Sequence, residues 1–351
     1  MIDKKLKILV MAPDQLLTRS GGLRTQVERT TFELQRLGHE VHFFNPWDEY
    51  CFGEYDLCHI FSMNSPTLFK YGLIKDRVPV IFSSVMWREG SRYFIRFLVE
   101  SAIRSPYSVV NDVIACRIMS QSAAMILPNT HQEKSWLREA IGVDTSKCAV
   151  IPNGADDHFA NRSLKDLEEK SSVVFDDDFV FCCSVVSARK NLVRLANACV
   201  KNSIPLVIAG PIVDRAIESK LRKIGENNNL VRLVGNLSNN SNELGYLYKR
   251  CRVFCLPSFY ETPGIAALEA GLCGANILVT KVGGAEDYFL NMARYVDPYS
   301  QRNIEANILD AWENGPKNGS DALPARIRSE FSWKAVAQKT VGAYYSALER
   351  Q

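Results

Sequence analysis

The sequence predicts an α/β protein of two tandem units, each with a parallel β-sheet between layers of helices. The length of 351 residues fits two domains of ordinary size. Short apolar runs alternate with helical patterns along the chain, which is typical of parallel sheets covered on both faces. The alternation is interrupted by a charged and polar segment at residues 161–178 and then restarts. That interruption predicts the approach to a second domain.

The first half supplies the strands of the first sheet. A Gly21-Gly22 turn follows the first apolar run and leads into a helix that is closed by Gly38. Five apolar runs predict strands, and a sixth, Ala149–Ile151, is a candidate to close the sheet. The five are Leu6–Met11, Val41–Phe44, Leu57–Phe61, Val80–Ser84 and Met125–Leu127. We therefore expect a first domain over residues 1–158.

The second half repeats the pattern with six apolar runs and a helix near Asn191–Val200. The predicted strands are Phe179–Val186, Leu206–Ala209, Val231–Leu233, Val253–Leu256, Ile277–Val279 and Tyr295–Val296. We expect this second domain to span residues 159–325. In the tail, residues 326–351, apolar residues recur at spacings of three and four and predict an amphipathic helix. Its apolar stripe comprises Trp333, Ala337, Val341, Tyr344 and Leu348.

Composition excludes several classes of protein. The formal net charge is +3 and the pI is near 8.3, too mild for the strongly basic domains that bind nucleic acid. Ten cysteines are scattered without zinc-site spacing, which predicts free thiols and a reducing compartment. The apolar run Leu6–Ala12 is too short for a signal peptide, and no run reaches the roughly 18 residues of a membrane span. These features predict a cytoplasmic protein, with peripheral contact at the inner face of the membrane as an open alternative.

The turn after the fourth strand of the second set carries two acids, Glu261 and Glu269, around a predicted helix start. Thr262 is a suitable N-cap and Pro263 a suitable first helical residue. Gly264 would leave the first turn without side chains, so its N–H groups and the positive end of the helix dipole suit a phosphate. A capped helix with two surface acids is the alternative interpretation.

Another strand end carries two adjacent cations, Arg189 and Lys190, directly before a predicted helix. Cations at a helix N-terminus oppose the helix dipole, and a bound anion would resolve that conflict. Arginine supplies a planar fork of donors and lysine a point charge, a useful pair for a diphosphate. A solvated surface pair is the alternative.

Two glycine pairs lie in other strand-to-helix turns. Gly21 and Gly22 follow the first strand, and Gly283 and Gly284 follow the fifth strand of the second set. Glycine lets a backbone approach a ligand closely. Neither pair forms the G-x-G-x-x-G fingerprint of dinucleotide-binding domains, which argues against a nicotinamide enzyme.

Taken together, these segments resemble the retaining GT-B glycosyltransferases of family four, the glycosyl transferases group 1. Glu261 and Glu269 are similar to that family's Glu-x7-Glu motif, and Arg189 and Lys190 to its strand-end cation pair. The resemblance covers nearly the whole chain and is strongest over residues 180–299. Further matches are the two glycine pairs, Pro152-Asn153-Gly154 at the domain junction and Phe331-Ser332-Trp333 before the last helix.

The resemblance implies two Rossmann-like domains facing a central cleft, with the C-terminal helix crossing back to the N-terminal, acceptor-binding domain. It implies that Arg189 and Lys190 bind the donor diphosphate, that Glu261 contacts the sugar near the reacting carbon and that Glu269 binds the ribose hydroxyls. No cofactor or divalent metal would be needed, because the cations and a helix terminus supply the positive field. Backbone groups implied to line the donor site are Gly21, Gly22, Gly264 and Ile265, with Gly235, Asn236 and Leu237 beside the base.

One departure from the family concerns the acceptor side. Many members carry a histidine after the strand equivalent to Val80–Ser84, whereas this chain has Ser83-Ser84-Val85-Met86-Trp87. His59 is a candidate substitute, but a lone histidine beside a strand is more often a hydrogen-bonded core residue. Residues 88–104 are expected to form the acceptor wall. Its aromatic side chains either contact a membrane-bound lipid carrier or pack in the core, and base rates favour packing.

The reaction implied is retaining, metal-independent transfer of a sugar from a nucleoside-diphosphate sugar to a hydroxyl of a glycan or lipid-linked glycan. The family's common setting is the assembly of bacterial surface polysaccharide, whether lipopolysaccharide, capsule or exopolysaccharide. Two alternatives stay open: a nucleotide-sugar epimerase of the same fold, and a non-catalytic nucleotide-binding partner of a transferase. Retention of both acids and both cations argues against the second.

Overall fold

A computed structural model describes residues 4–17, 21–105, 110–262, 264–316 and 321–350 of the chain. Its residues form two compact units: unit 1 comprises Met1–Asn153 and Trp333–Gln351, and unit 2 comprises Gly154–Ser332. The expected boundaries, at residues 158 and 325, are displaced from these positions. The N–H of Ala155 donates to the carbonyl oxygen of Phe331 at 2.9 Å, so both connecting segments are held within unit 2.

Unit 1 contains a five-stranded parallel sheet in the order β2-β1-β3-β4-β5. The strands are β1 (Lys7–Met11), β2 (Glu40–Phe43), β3 (Leu57–Phe61), β4 (Val80–Ser83) and β5 (Met125–Leu127). The helices are α1 (Gly22–Arg36), α2 (Ser65–Ile74), α3 (Arg92–Arg104), α4 (Asp112–Gln121) and α5 (His131–Trp136), which continues as a π-helical turn at Leu137–Ile141. All five predicted strands are confirmed, with bounds that differ by about one residue at most.

The predicted closing strand Ala149–Ile151 is wrong. Ala149 and Ile151 donate to the carbonyl oxygens of Ile126 and Pro128 at 3.0 and 2.9 Å, but the pairing goes no further than an isolated bridge at Cys148. Pro128 has no N–H with which to return a bond, so a regular parallel ladder cannot form here.

The buried strands and their helix caps explain why these segments fold as they do. The apolar strand residues of unit 1 are covered on both faces, as a parallel sheet requires. Asn64 caps α2 in a reciprocal capping box with Thr67, and Thr130 caps α5 by accepting from the N–H of Glu133 at 2.9 Å. Each cap lies just after a strand, so it fixes where the chain turns back along the sheet.

Unit 2 contains a six-stranded parallel sheet in the order β11-β10-β9-β6-β7-β8. Its strands are β6 (Val180–Cys183), β7 (Leu206–Ala209), β8 (Val231–Gly235), β9 (Val253–Leu256), β10 (Asn276–Thr280) and β11 (Arg294–Val296). Its helices are α6 (Leu164–Glu169), α7 (Leu192–Lys201), α8 (Arg215–Asn228), α9 (Asn242–Arg250), α10 (Ile265–Leu272), α11 (Glu286–Phe289), α12 (Gln301–Asn314) and α13 (Ala322–Glu330). The first strand is shorter than predicted, because the chain leaves the sheet after Cys183 and only Val186 pairs again, in an isolated bridge to Ile212.

The chain ends in α14 (Trp333–Leu348), which packs on α1 and β5 of unit 1 as the tail pattern predicted. Within the predicted apolar stripe, Trp333, Ala337 and Tyr344 are buried and Val341 and Leu348 are half-buried. All ten cysteines are free thiols, as the sequence predicted.

His59 belongs to the core of unit 1. Its Nδ1 lies 2.6 Å from the hydroxyl of Tyr344 on α14, and its Nε2 lies 2.9 Å from the hydroxyl of Ser83. Burial lowers the pKa of His59 to about 3, so the ring is neutral at physiological pH. The interpretation of His59 as a hydrogen-bonded core residue is therefore confirmed, and it is not a substitute for the missing histidine.

Candidate functional site

The strand order of unit 2 places its candidate binding site at the carboxyl ends of β6 and β9. The chain adds β7 and β8 on one side of β6 and then crosses to add β9 on the other side, so the strand order reverses between these two neighbours. In open parallel sheets, the carboxyl ends of the two strands at such a switch point border the crevice where ligands bind. The segments that follow β6 and β9 are the ones that carry Arg189, Lys190 and Glu261.

Arg189 and Lys190 lie in a short 3-10 turn, Ala188–Lys190, between β6 and α7. The next residue, Asn191, has a left-handed backbone with φ of 59°. Its side-chain amide donates to the carbonyl oxygens of Pro257 at 3.0 Å and Pro298 at 2.8 Å. These two bonds tie the turn to the segments that follow β9 and β11.

Glu261 forms an ion pair with the two cations. Its Oε2 lies 2.6 Å from Nζ of Lys190 and 3.7 Å from Nη1 of Arg189, and the side chains of Glu261 and Lys190 are both only 10% exposed. Arg189 also donates to the carbonyl oxygen of Tyr260 at 2.9 Å and lies over the ring of that residue. Burial disfavours the charged carboxylate, but the attraction of Lys190 and Arg189 outweighs burial and lowers the pKa of Glu261 below its ordinary value.

This ion pair changes the interpretation of the two cations before α7. The two cations before α7 were expected to need a bound anion, because they oppose the helix dipole. In the structure the carboxylate of Glu261 supplies part of that negative charge from within the chain. Two cations and one carboxylate still leave a net positive charge at the end of β6, to which an oxyanion is attracted.

The helix α10 begins beside this cluster, two residues later than predicted. Gly264 is the N-cap, with extended backbone angles, and no side chain caps the first turn. Thr262 is therefore not the cap, because Gly264 occupies that position; Pro263 lies outside the described residues. A Cβ at position 264 would lie 3.0 Å from Cδ1 of Leu256 and in ordinary contact, at 3.5 Å, with Oε1 of Glu261, so a side chain here would occupy space beside the acid.

Glu269 lies on α10 and is held by a residue that the sequence reasoning missed. The hydroxyl of Tyr248 on α9 donates to Oε2 of Glu269 at 3.0 Å, and both side chains are buried. The available signal was helical spacing, since Tyr248 lies four residues after the buried Leu244 on α9. This bond restricts the rotamer of Glu269.

The Gly283-Gly284 turn after β10 contacts the backbone of Glu261. The N–H of Glu261 donates to the carbonyl oxygen of Val282 at 2.9 Å. Gly283 has φ of 108°, and a Cβ there would lie 2.2 Å from the carbonyl oxygen of Glu261. Only glycine combines this backbone conformation with so close an approach. The turn therefore supports the loop that holds Glu261.

Other predicted site residues do not join this cluster in unit 2. Gly235, Asn236 and Leu237 lie at the carboxyl end of β8, and β7 separates that strand from β6. The carbonyl oxygen of Gly235 accepts from the N–H of Gly210 at 2.8 Å. Gly21 and Gly22 belong to unit 1, where they form the N-cap and first residue of α1.

The carboxyl edge of unit 1 is organised by a buried acid, Glu133, that the sequence did not indicate. Its Oε1 accepts from the hydroxyl of Ser84 at 2.6 Å and from the N–H of Met86 at 2.8 Å, and its Oε2 accepts from the N–H of Asn129 at 2.8 Å. Val85, between two of these donors, has φ of 43°, an unusual value for a β-branched residue. Burial raises the pKa of Glu133. Glu133 thus fixes the loop in which family members carry a histidine.

Of the four aromatic residues expected at the acceptor wall, Trp87 packs against the core, as base rates favoured, whereas the three on α3 do not. Trp87 is half-buried and stacks near Trp136, but Tyr93, Phe94 and Phe97 are exposed. The buried face of α3 is supplied instead by Ile95 and Val99.

Over the described ranges, no three His, Cys, Asp or Glu side chains are grouped as a metal ion would require. In the part of the chain that the structure describes, no helix combines the length and apolar character needed to cross a bilayer.

Comparisons with known proteins agree with this architecture. Residues 165–325 match the model of the family described as glycosyl transferases group 1. The O-antigen chain mannosyltransferase B of Escherichia coli is 30% identical over 103 residues, which is 29% of this chain and 27% of that protein. The D-inositol 3-phosphate glycosyltransferase 2 of Catenulispora acidiphila is 25% identical over 252 residues, which is 65% of this chain and 57% of that protein.

Solved structures share the fold across the whole chain. The sucrose-phosphate synthase of Thermosynechococcus elongatus superposes with a TM-score of 0.76 at 16% identity, covering 98% of this chain and 100% of that one. The sequence matches are shorter: the chain spans less than two thirds of the length of either curated relative.

Proposed function

Because the chain belongs, through residues 165–325, to the glycosyl transferases group 1 and has the GT-B fold, we propose that it transfers a sugar from a nucleoside-diphosphate sugar to an acceptor hydroxyl. The observation that carries this proposal is the cluster of Arg189, Lys190 and Glu261 at the switch point of unit 2, beside the uncapped N-terminus of α10. Positive charge at the carboxyl ends of two neighbouring strands is what a diphosphate requires.

In this proposal the two cations and the helix terminus act on the diphosphate, and the acid acts on the sugar. Arg189 and Lys190 bind the diphosphate and stabilise the charge that develops on the leaving group, and the backbone at Gly264 and Ile265 adds the helix dipole. These groups are fixed before the donor arrives, which is the main requirement for electrostatic catalysis. Glu261 contacts the sugar near the reacting carbon.

The rest of the donor lies along the same edge of the sheet. Glu269, oriented by Tyr248, binds the ribose hydroxyls, because a buried carboxylate with a fixed rotamer can accept from a diol. The base rests against the backbone at Gly235, Asn236 and Leu237. Gly21 and Gly22, at the start of α1, are also proposed to bind the donor.

Several finer features belong to the same proposal. Transfer retains the configuration of the sugar and needs no divalent metal, because Arg189, Lys190 and the α10 terminus supply positive charge to the diphosphate. The acceptor is a glycan or lipid-linked glycan of a bacterial surface polysaccharide; a relative that is an O-antigen chain mannosyltransferase supports this setting. The protein works in the cytoplasm, in peripheral contact with the inner face of the membrane.

A thermal-shift screen with UDP, GDP, ADP and CDP, followed by their sugars, tests the donor site. A ligand at about 100 times its dissociation constant adds roughly 2.7 kcal/mol of stability. We expect one nucleotide to raise the unfolding temperature of the wild type and Arg189→Ala to abolish the shift. Arg222→Ala, which removes an exposed arginine of α8, is the matched control and should keep it. An unchanged shift in Arg189→Ala would remove Arg189 from the donor site.

Product analysis with the donor found in this screen tests the reaction. Transfer yields a glycosylated acceptor and a free nucleoside diphosphate, and the product keeps the donor's anomeric configuration. Conversion of the donor sugar without any added hydroxyl compound would identify an epimerase instead. Donor binding without turnover in the presence of lipid-linked glycans would favour a non-catalytic role.

A further inference from the structure

The helix α3 of unit 1 exposes a continuous apolar stripe. Tyr93, Phe94, Phe97 and Leu98 are 83%, 60%, 65% and 49% exposed. They lie at spacings of three and four residues, so they share one face of the helix. Apolar side chains on a protein surface are usually scattered singly, whereas a contiguous group marks an interaction surface. We call these four residues the α3 stripe.

The opposite face of α3 is firmly attached to unit 1. Ile95 and Val99 are buried, and the helix packs on α4 and on the π-helical turn at Leu137–Ile141. Arg92 also forms an ion pair with Glu139 at 2.6 Å. Because its other face is already buried, the helix cannot rotate to bury the α3 stripe in the core. The stripe is therefore presented to solvent by a fixed scaffold.

The charges around the α3 stripe are mainly positive. Residues 88–104 contain four arginines and two glutamates. Arg92 and Arg96, along one edge of the stripe, are paired with Glu139 and Glu100, so the uncompensated positive charge comes from Arg88 and from Arg104, which continues the stripe at its C-terminal end. Among the described residues, no ion pair engages Arg88 or Arg104, and both are exposed. Such a surface attracts a partner that has negative charges at its surface and an apolar layer directly below them.

We propose that the α3 stripe docks on an anionic lipid bilayer, with α3 lying in the plane of the interface. Helices with aromatic residues on one face and arginines beside them bind at the boundary between headgroups and acyl chains. The arginines lie at the level of the lipid phosphates, and the aromatic rings insert just below them. This inference rests on the proposed peripheral membrane contact and names the surface that makes it.

A second copy of the chain fits this surface less well. A stable protein interface buries roughly 800 Å² on each partner, contributed by about 20–30 residues, and four side chains of one helix fall short of that. Two copies would also bring surfaces of the same charge together. An anionic bilayer avoids both difficulties, because it is fluid and needs no complementary protein surface, and because it carries the opposite charge.

Flotation with vesicles of phosphatidylcholine, with and without phosphatidylglycerol, tests the proposal. We expect the wild type to bind the vesicles that contain phosphatidylglycerol, and to bind them less at high salt. The double variant Phe94→Ser/Phe97→Ser should bind about a hundredfold more weakly, because each buried aromatic side chain contributes roughly tenfold. Circular dichroism and thermal unfolding check that the variant is folded.

Trp47→Ser is the matched control. Trp47 is 91% exposed, in the loop after β2 at the opposite edge of the sheet, so its loss should leave vesicle binding unchanged. Arg88→Gln/Arg104→Gln should weaken binding to phosphatidylglycerol and reduce its salt dependence. Equal vesicle binding by the wild type and Phe94→Ser/Phe97→Ser would overturn the proposal.

Other measurements separate this proposal from its rivals. Sedimentation that shows a wild-type dimer and a monomeric double variant, without vesicle binding, would assign the α3 stripe to a second copy and overturn the proposal. The nucleotide-induced thermal shift does not involve lipid, so it reports on the donor site alone. A protein that binds vesicles without a nucleotide shift would contradict the proposed reaction and still support the docking surface.

Discussion

Replacing Glu261 by glutamine tests whether its ion pair stabilises the buried Lys190. The two side chains are each 10% exposed and their charged atoms lie 2.6 Å apart, so solvent screens the pair little. Removing one partner of a buried pair costs about 3–5 kcal/mol, because the remaining charge is left without compensation. Arg189, 3.7 Å from the same carboxylate, adds to the uncompensated positive charge. We expect Glu261→Gln to lower the free energy of unfolding by about 3–4 kcal/mol.

Urea unfolding, followed by circular dichroism without ligand, measures this loss. Glu305→Gln is the matched control, because Glu305 pairs with Lys201 at 2.5 Å but the lysine side chain is 64% exposed. Such a pair contributes at most about 1 kcal/mol. Lys190→Met/Glu261→Gln, which removes both charges, should recover part of the loss. If Glu261→Gln cost no more than Glu305→Gln, the ion pair would not be the stabilising feature described here.

The difference in free energy of unfolding between the wild type and Glu261→Gln should change with pH in one direction. The pKa of Glu261 is lowered in the folded protein, so its carboxylate holds a proton less tightly there than in the unfolded chain. The stability it contributes is fully present above the ordinary glutamate pKa and is lost as the pH falls through the lower, folded value. The difference in free energy of unfolding between the wild type and Glu261→Gln should therefore become smaller at acid pH. A gap that widened as the pH fell would contradict the assignment.

Two further substitutions test the support around the site. Gly283→Ala should reduce both stability and sugar transfer, because its Cβ would lie 2.2 Å from the carbonyl oxygen of Glu261. Gly274→Ala is the control, because Gly274 also has positive φ but has open space around its Cβ. It should cost only the backbone strain and keep activity. Tyr248→Phe should cost about 1–3 kcal/mol by leaving the buried carboxylate of Glu269 without this donor, and should raise the donor KM more than it lowers kcat. Urea unfolding and steady-state kinetics measure both.

The control for Tyr248→Phe is Tyr246→Phe on the same helix. The Tyr246 hydroxyl bonds to the backbone of Phe175, at 3.0 Å from its nitrogen and 3.1 Å from its oxygen. Its loss should destabilise unit 2 to a similar degree and leave the donor KM unchanged. A similar rise in KM for both variants would mean that general destabilisation, and not the orientation of Glu269, sets donor affinity.

The periodicity of apolar residues was enough to predict the strands. Val180–Cys183, Leu206–Ala209 and Val253–Leu256 are continuous apolar runs bounded by polar turns, and a strand buried on both faces needs no other signal. The strand order could not be read in this way, because β6 and β9 pair across the sheet while being far apart in the chain. That pairing is what brings Lys190 to Glu261, which lies 71 residues later.

Local signals were less reliable where tertiary contacts decide. Thr262 and Pro263 form a favourable start for a helix in the sequence, yet α10 begins at Ile265 with Gly264 as its cap. The backbone of Glu261, just before this start, is in close contact with the Gly283 turn, a tertiary contact that local sequence does not contain. Glu133 carried no signal in the sequence, since only the fold brings Ser84, Met86 and Asn129 around its carboxylate. The exposure of the α3 stripe also depends on which elements pack beside α3, and amino-acid composition carries no information about that packing.

A site for a diphosphate must hold cations away from bulk water, and in an empty site those cations destabilise the protein. In this chain Glu261 offsets the cost, since β9 places its carboxylate against the turn that follows β6. Ligand binding need not break the pair: among the described residues, Lys190 donates to Glu261 and Arg189 to Tyr260, which leaves most of their N–H donors for phosphate oxygens. In the proposed reaction, the carboxylate that stabilises the cluster would therefore stay beside the diphosphate, next to the donor sugar.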